Sequence, residues 1–518
     1  MTHLLNKTAF LIAFAVAVIL FVTPSSQVSA QQGFLSDANA TNAGLTVAWT
    51  TQARISVKAE LADWQLVVDE NRATTYFVIS YGKRKEIIGE KDISPFKVPY
   101  GIEGAMTAAK NRKEVIEYGL KNDGKEDVKV EITSYQLPHS TLYAMGASGR
   151  VICLDADTGA TRWVQQVGDS RLPSVGLGAS KTHVAVANGS SVYCLEAETG
   201  RVLWGGRCKN AIDSSPTCSE TSIHVPLVTG RLQTFPIDKF GIGSFSRVAQ
   251  GGSRARPLVT ENNVIWTTEK GHMNVAPLDR RTVAYRLKTS APIVSQAASS
   301  GDRLFVGSLD GFVYGVNETT GRLDWDVSTG RGILNSPVPF GKDLYVVSRA
   351  NELFKIDSEA GTFPQGWQSP ARGVKTIAGF GVDTIYCLNA NGQLIGIDRE
   401  TQAVTKSIQG TRLDLVMPNR ITDRMYFATR NGFIQCVHET SSVRPRFLES
   451  DLAVAKPMMD KKREDDSAIG EASPFGEDND GKNPFGDDDG DGDAPNPFGD
   501  DSSDDEDEDE DDGSNPFG

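Results

Sequence analysis

Leu142-Tyr-Ala-Met-Gly-Ala-Ser-Gly-Arg-Val-Ile-Cys-Leu154 decides the fold, because its pattern returns at seven later places in the chain. Those segments begin at His183, Ile223, Val264, Leu304, Leu344, Ile385 and Met425, spaced by 40 or 41 residues. With the first residue as zero, position +7 is Gly149, Ser190, Gly230, Gly271, Gly311, Asn351, Gly392 and Gly432. Glycine or asparagine there suits a tight turn with positive φ. Position +9 is Val151, Val192, Leu232, Met273, Val313, Leu353, Leu394 and Ile434, and position +12 is Leu154, Leu195, Phe235, Ala276, Val316, Ile356, Ile397 and Val437. All of these are apolar. Each repeat therefore predicts a strand, a tight turn, a second strand, then a further turn and an outer strand.

A period of about 40 residues built from short strands is the signature of a β-propeller with four strands per blade. The even spacing predicts an all-β fold, an eight-bladed β-propeller over residues 128–449. Short apolar runs and the recurring turn residue exclude a helical solenoid.

The second half of the repeat carries a family resemblance. It reads Asp155-Ala-Asp-Thr-Gly-Ala-Thr-Arg-Trp163 in repeat 1, Glu196-Ala-Glu-Thr-Gly-Arg-Val-Leu-Trp204 in repeat 2 and Asn317-Glu-Thr-Thr-Gly-Arg-Leu-Asp-Trp325 in repeat 5. These stretches resemble the AxDxxTGxxxW repeat of the pyrroloquinoline-quinone (PQQ)-type propeller family. The pattern is eroded elsewhere, with Tyr285 and Lys406 where repeats 4 and 7 would place Trp. The resemblance implies that the Trp packs between neighbouring blades and that Thr-Gly turns into the outer strand. Repeat 8 lacks its Trp, while Gly44-Leu-Thr-Val-Ala-Trp49 looks like Gly200-Arg-Val-Leu-Trp204. Residues 31–60 are thus expected to supply the strand that completes blade 8 and closes the ring.

Residues 61–127 do not repeat. Thr74 to Ser80 and Lys85 to Ile88 are β-like, and Ala105 to Leu120 has helical spacing ended by Asn122-Asp-Gly. This predicts a small α+β insertion, the part where an individual function would be grafted.

The termini differ from the body. Lys7, the apolar run Ala9 to Val22 and the small residues Val28-Ser29-Ala30 read as a signal peptide over residues 1–30, cleaved between Ala30 and Gln31. The run is short for a transmembrane anchor. The chain of 518 residues carries a net charge of −14. Residues 464–518 hold 23 acids and one base, so the remainder has a net charge of +8. Residues 450–518 are expected to be a disordered acidic tail. It carries Ser473-Pro-Phe-Gly, Asn483-Pro484-Phe485-Gly, Asn496-Pro497-Phe498-Gly and Asn515-Pro516-Phe517-Gly, which read as multivalent short motifs anchored by Phe. Asp487 to Asp493 lacks the twelfth-position acid and flanking helices of an EF-hand.

The resemblance also sets a chemical alternative. PQQ dehydrogenases of this family hold the quinone with a stacking Trp, a vicinal disulfide, Ca²⁺ and a catalytic Asp. Here no two of the six cysteines are adjacent, the repeats are regular, and the acids at +13 belong to the turn motif. No catalytic residue is nominated, no cofactor-binding residue is identified, and no cofactor is expected; PQQ with Ca²⁺ is the alternative. The histidines show no paired ligand spacing, so no metal is expected. Cys208 and Cys218 are placed for a bridge that export would permit. Arg331, Arg372 and Arg412 lie 13 residues before three successive repeat starts, and Arg349 and Arg430 at +5. The five are expected at one channel mouth as an anion or partner site.

The chain resembles the BamB-type propeller of the outer-membrane assembly machinery, which implies a non-enzymatic, exported protein–protein interaction scaffold, periplasmic or secreted. The alternatives are a PQQ-dependent dehydrogenase and a receptor for a small acidic ligand. The expected partners are other envelope proteins, without nucleic acid or a transmembrane anchor, and the propeller is expected to be monomeric.

Overall fold

The computed structural model describes residues 34–448, apart from 54–59, 83, 126, 239–242, 409–411 and 443–444. The expected signal peptide and cleavage site, and the expected acidic tail with its motifs, lie outside the described residues.

The described chain is mostly antiparallel β, in eight sheets. Numbered by repeat, sheets 2 to 7 each take four strands consecutive in the chain. Sheet 1 has five, and sheet 8 combines three strands from the last repeat with one from the N-terminus. The sixteen apolar positions explain the regularity. Fifteen are at most 1% exposed, and Phe235 is 9% exposed. Each sheet puts these residues against its neighbours, so the cores lie between sheets.

Seven of the eight +7 residues turn the chain as expected, from Asn351 at φ 60° to Gly311 at φ 88°. Ser190 does not, and Gly189 before it takes φ 59° instead. A serine would pay for the left-handed region, whereas glycine enters it without a Cβ clash.

A short helix, α1 (Asp37–Asn42), leads into β1 (Leu45–Gln52), which pairs antiparallel with the last repeat strand, Phe433–Glu439. A bulge between Val47 and Trp49 swings the Trp toward sheet 1. A bulge at the corresponding place sits before Trp204 in sheet 2.

β2 (Leu61–Tyr81) is 21 residues long and serves two structures. Leu61–Asp69 pairs with the part of β4 (Val130–Gly146) that enters repeat 1. After a bulge between Asp69 and Ala73, Ala73–Tyr81 pairs with the start of β4 and with β3 (Arg84–Gly89). The boundary drawn at residue 61 therefore falls at the head of a strand shared by sheet 1 and the insertion. α2 (Gly101–Asn122) covers this extension, burying Ala105, Ala109 and Ile116 against Phe77, Ile79 and Val130.

Candidate functional site

The first strands of seven sheets converge on one cavity of about 690 Å³. They contribute Asp63–Leu66, Ala179, Thr217, Leu258, Ala298, Val338 and Met417, among others. Sheet 7 adds Thr376 and Ile377 to an adjoining cavity of about 340 Å³ that shares Gln296, Ser336, Val338 and Pro418 with the first.

One carboxylate organises this space. Asp63 Oδ2 accepts hydrogen bonds from Ser215 Oγ at 2.7 Å, the Leu177 amide at 2.9 Å and Arg256 Nη2 at 2.6 Å. Its Oδ1 accepts from the Trp64 amide at 2.9 Å. The group thereby ties together elements of sheets 1, 2, 3 and 4. Gly176 makes the approach feasible, because a Cβ there would stand 2.0 Å from Ser215 Oγ. Gln65 adds a two-way contact with the Ala179 backbone at 3.0 and 3.2 Å. From sheet 8, Arg420 Nη1 reaches the Ser299 carbonyl of sheet 5 at 2.9 Å.

The donor set does not suit a quinone held by a divalent cation. Asp63, the carboxylate of this cavity, already has its acceptor positions filled, and no cluster of three His, Cys, Asp or Glu side chains occurs among the described residues. The six cysteines are free thiols, so the Cys208–Cys218 bridge is not formed. Both lie in the apolar cluster of sheets 2 and 3, and burial pushes the Cys208 thiol up to about 12. That suppresses the thiolate and leaves them as packing residues.

The five arginines read as a channel-mouth cluster are all exposed. None lines either cavity, whose arginines are Arg254, Arg256 and Arg420. Arg372 ends the outer strand Ala371–Arg372, opposite Glu352, two residues before the first strand of sheet 7, Val374–Phe380. The Arg331 backbone packs over the Gly311 turn, and Arg430 pairs with Glu60 at 3.8 Å. Fixed offsets put these residues near turns, with their side chains in solvent.

Trp163, Trp325 and Trp49 pack against the next sheet, as the resemblance implied. Trp163 Nε1 donates to the Ala197 carbonyl of the next sheet at 2.9 Å, and its ring lies over Gly200, where a Cβ would approach to 2.5 Å. Trp325 treats Ser358 and Gly361 the same way, and Tyr285 substitutes through Glu318 and Gly321. Trp49 completes the series, donating to Ala156 at 3.1 Å and lying over Gly159. A family model for the outer membrane protein assembly factor BamB matches residues 147–408, just over half of the chain.

The chain belongs to this BamB family.

Among solved structures it is similar to BamB from Moraxella catarrhalis, at 14% identity and a TM-score of 0.48, covering 57% of this chain and 93% of that one. It is also similar to the computationally designed Ika8 protein, at 15% identity and a TM-score of 0.46, with the same coverage of each chain. No curated protein matches it. Two surface features lie at the insertion.

First, a polar lock holds the insertion to sheet 1. Lys91 Nζ lies 2.8 Å from Asp155 Oδ2, 3.5 Å from Asp157 Oδ2 and 2.8 Å from His139 Nδ1. An ammonium has only donors, so His139 accepts through Nδ1. Burial and the Lys91 charge press the His139 pKa down to about 4, which keeps the ring neutral. Burial acts to raise the Asp155 pKa, but Lys91 and the neighbouring His139 hold it below the usual carboxylate range; burial raises that of Asp157.

Second, the insertion carries an apolar groove of about 930 Å³ between α2 and the 93–100 segment, lined by Ile87, Ile88, Phe96, Val98, Tyr100 and Val115. Phe96 is 87% exposed and Tyr118 70%. No helix among the described residues is long and apolar enough to cross a membrane.

Proposed function

We propose that this BamB-family protein is a non-enzymatic protein–protein interaction scaffold of the bacterial envelope, an eight-bladed propeller closed by β1 and exported by its N-terminal signal. The observation that carries the reading is the exposed apolar surface of the insertion, where Ile93, Phe96, Val98, Ile102, Val115 and Tyr118 stand more than half exposed. Large rimmed apolar patches on a soluble body mark binding surfaces. Asp63, meanwhile, is spent on holding sheets together, which supports the absence of an acid–base centre in the cavity.

The test has two arms. A photoreactive residue at Val115 or Tyr118 of α2 is expected to give discrete protein adducts in the envelope, and the same residue at exposed Val404 is not. Calorimetry with PQQ and Ca²⁺ is expected to show no saturable heat. Stoichiometric quinone binding would return the protein to the dehydrogenases.

A receptor for a small acidic ligand is the second reading. It rests on Arg256, whose Nε is buried in the cavity without a hydrogen-bond partner. Titration with citrate and succinate decides it: saturable heat that Arg256→Gln abolishes would establish the receptor.

A further inference from the structure

The chain contains Ser/Asn-Pro-Phe five times: four in the acidic tail, and once in the folded insertion as Ser94-Pro95-Phe96-Lys97. The folded copy is a closed turn. The Lys97 amide donates to the Ser94 carbonyl at 2.9 Å, and the Ser94 amide donates to the Val98 carbonyl at 2.8 Å. An Ile93–Pro99 bridge holds its base. Pro95 occupies the second turn position, which its fixed φ favours. Phe96 is thrown outward at the tip.

Lys97 adopts φ 62°, in the left-handed region that favours glycine. Every tail copy has Gly at that place: Gly476, Gly486, Gly499 and Gly518. The tail tetrapeptides therefore share with the folded copy the Pro-Phe pair, preceded by Ser or Asn, and carry at their fourth place the residue that the left-handed region favours. Pro339-Phe340-Gly341 is the internal contrast. Val338 precedes it, Phe340 stacks on Phe380 at 4.3 Å, and Arg399 lies over the same ring, so that phenylalanine is used up in packing.

We propose that Phe96 and the four tail phenylalanines are five copies of one ligand. The recipient is an envelope protein with an apolar, Phe-sized pocket rimmed by cationic side chains. The rim follows from the tail, where Asp487, Asp488, Asp489 and Asp500, Asp501 directly follow two of the tetrapeptides. Several copies of the motif on one chain raise the effective concentration for a multivalent partner, so the array binds more tightly than any single copy. This deepens the scaffold reading and rests on it.

The test uses the full chain in four forms: wild type, Phe96→Ala, a tail form with Phe475, Phe485, Phe498 and Phe517 all changed to Ala, and the combined form. Phe96 is at the surface, so its loss leaves the melting temperature unchanged. Each form is immobilised, exposed to envelope extract and eluted with the synthetic peptide Gly-Lys-Asn-Pro-Phe-Gly-Asp or its Phe→Ala version. The expected result is one protein held by the first three forms, absent from the fourth, and released by the Phe peptide alone. With that protein purified, wild type is expected to bind at least ten-fold more tightly than either partial form, and salt to weaken the tail-dependent share more. A protein held by the combined form, or released equally by both peptides, would overturn the turn as ligand while leaving the scaffold standing. Retention by only one partial form would overturn the equivalence of the turns. Retention of nothing, together with no adducts from Val115 or Tyr118, would remove both.

Discussion

Gly159 shows how much one position can carry. Its φ is 71°, and a Cβ there would come within 2.5 Å of the Trp49 ring. Backbone strain and a clash with a ring that is itself buried and hydrogen-bonded then act together. Gly159→Ala is expected to cost about 2–4 kcal/mol, within the range of a forced steric conflict. Gly341 has φ 59° and nothing within 4 Å of its Cβ position, so Gly341→Ala should cost only the left-handed term, about 1–2 kcal/mol. Denaturant midpoints of the two variants check the comparison, and equal losses would mean that Trp49 does not press on the turn. His224 gives a second residue-scale expectation. It is fully buried beside Arg247, with Nδ1 at 3.0 Å from Thr234 Oγ1, and burial pushes its pKa down to about 3. The unfolded chain takes up this proton near pH 6.5 and the folded chain only near 3. The unfolded state therefore binds more protons between those values, and stability falls as pH drops through that window. Wild type is expected to lose a few kcal/mol from this group, on the order of the shift itself. His224→Gln should flatten that part of the stability profile; an unchanged slope would show that the ring is already charged.

At the scale of elements, the insertion is attached by two long strands, β2 and β4, and one ion cluster. β2 passes from sheet 1 into the extension without a break in pairing except the bulge, while Lys91 pins the far side to Asp155 and Asp157. Removing the ammonium leaves two poorly solvated carboxylates facing each other, and such uncompensated charge is costly. Lys91→Met is expected to destabilise by about 2–4 kcal/mol, discounted for the cluster's partial exposure. Hydrogen exchange should accelerate in residues 84–122 more than in sheets 3 to 7, and uniform acceleration would contradict a local lock. Little of this was legible beforehand. The repeat strands announce themselves through Val151, Leu154 and their counterparts, since burial on both faces leaves a local apolar pattern. Leu61–Asp69 belongs to the same architecture but pairs with His139–Gly146, 70 to 85 positions later, so no period reveals it. Asp63 and Arg256 stand 193 positions apart, and nothing local in either sequence signals their contact. The arginine register is a different case: a constant offset fixes a place along the chain, and the five side chains are exposed outside the two cavities.

For the whole molecule, the decisive feature is that the last sheet is assembled from both ends of the described chain. Without β1 the strand Phe433–Glu439 would present an unpaired edge, and sheet 8 would lose the Trp49 hydrogen bond to Ala156 of sheet 1. Open edges invite pairing with other chains. The strand is short, continuous in sequence and held by an antiparallel ladder broken only by the bulge before Trp49, so it should also work when supplied separately. A chain beginning at residue 60 is expected to associate or precipitate when made alone. The peptide Gly44–Ala53 added during refolding should restore a monodisperse species by sedimentation and most of the lost melting temperature. The same peptide with Trp49→Ala should restore far less, because it pairs with sheet 8 without reaching sheet 1. If the shortened chain were as stable and as monodisperse as the full one, β1 would be an ornament on an already closed ring. If both peptides rescued equally, edge pairing alone would account for closure, and the aromatic contact between sheets would not.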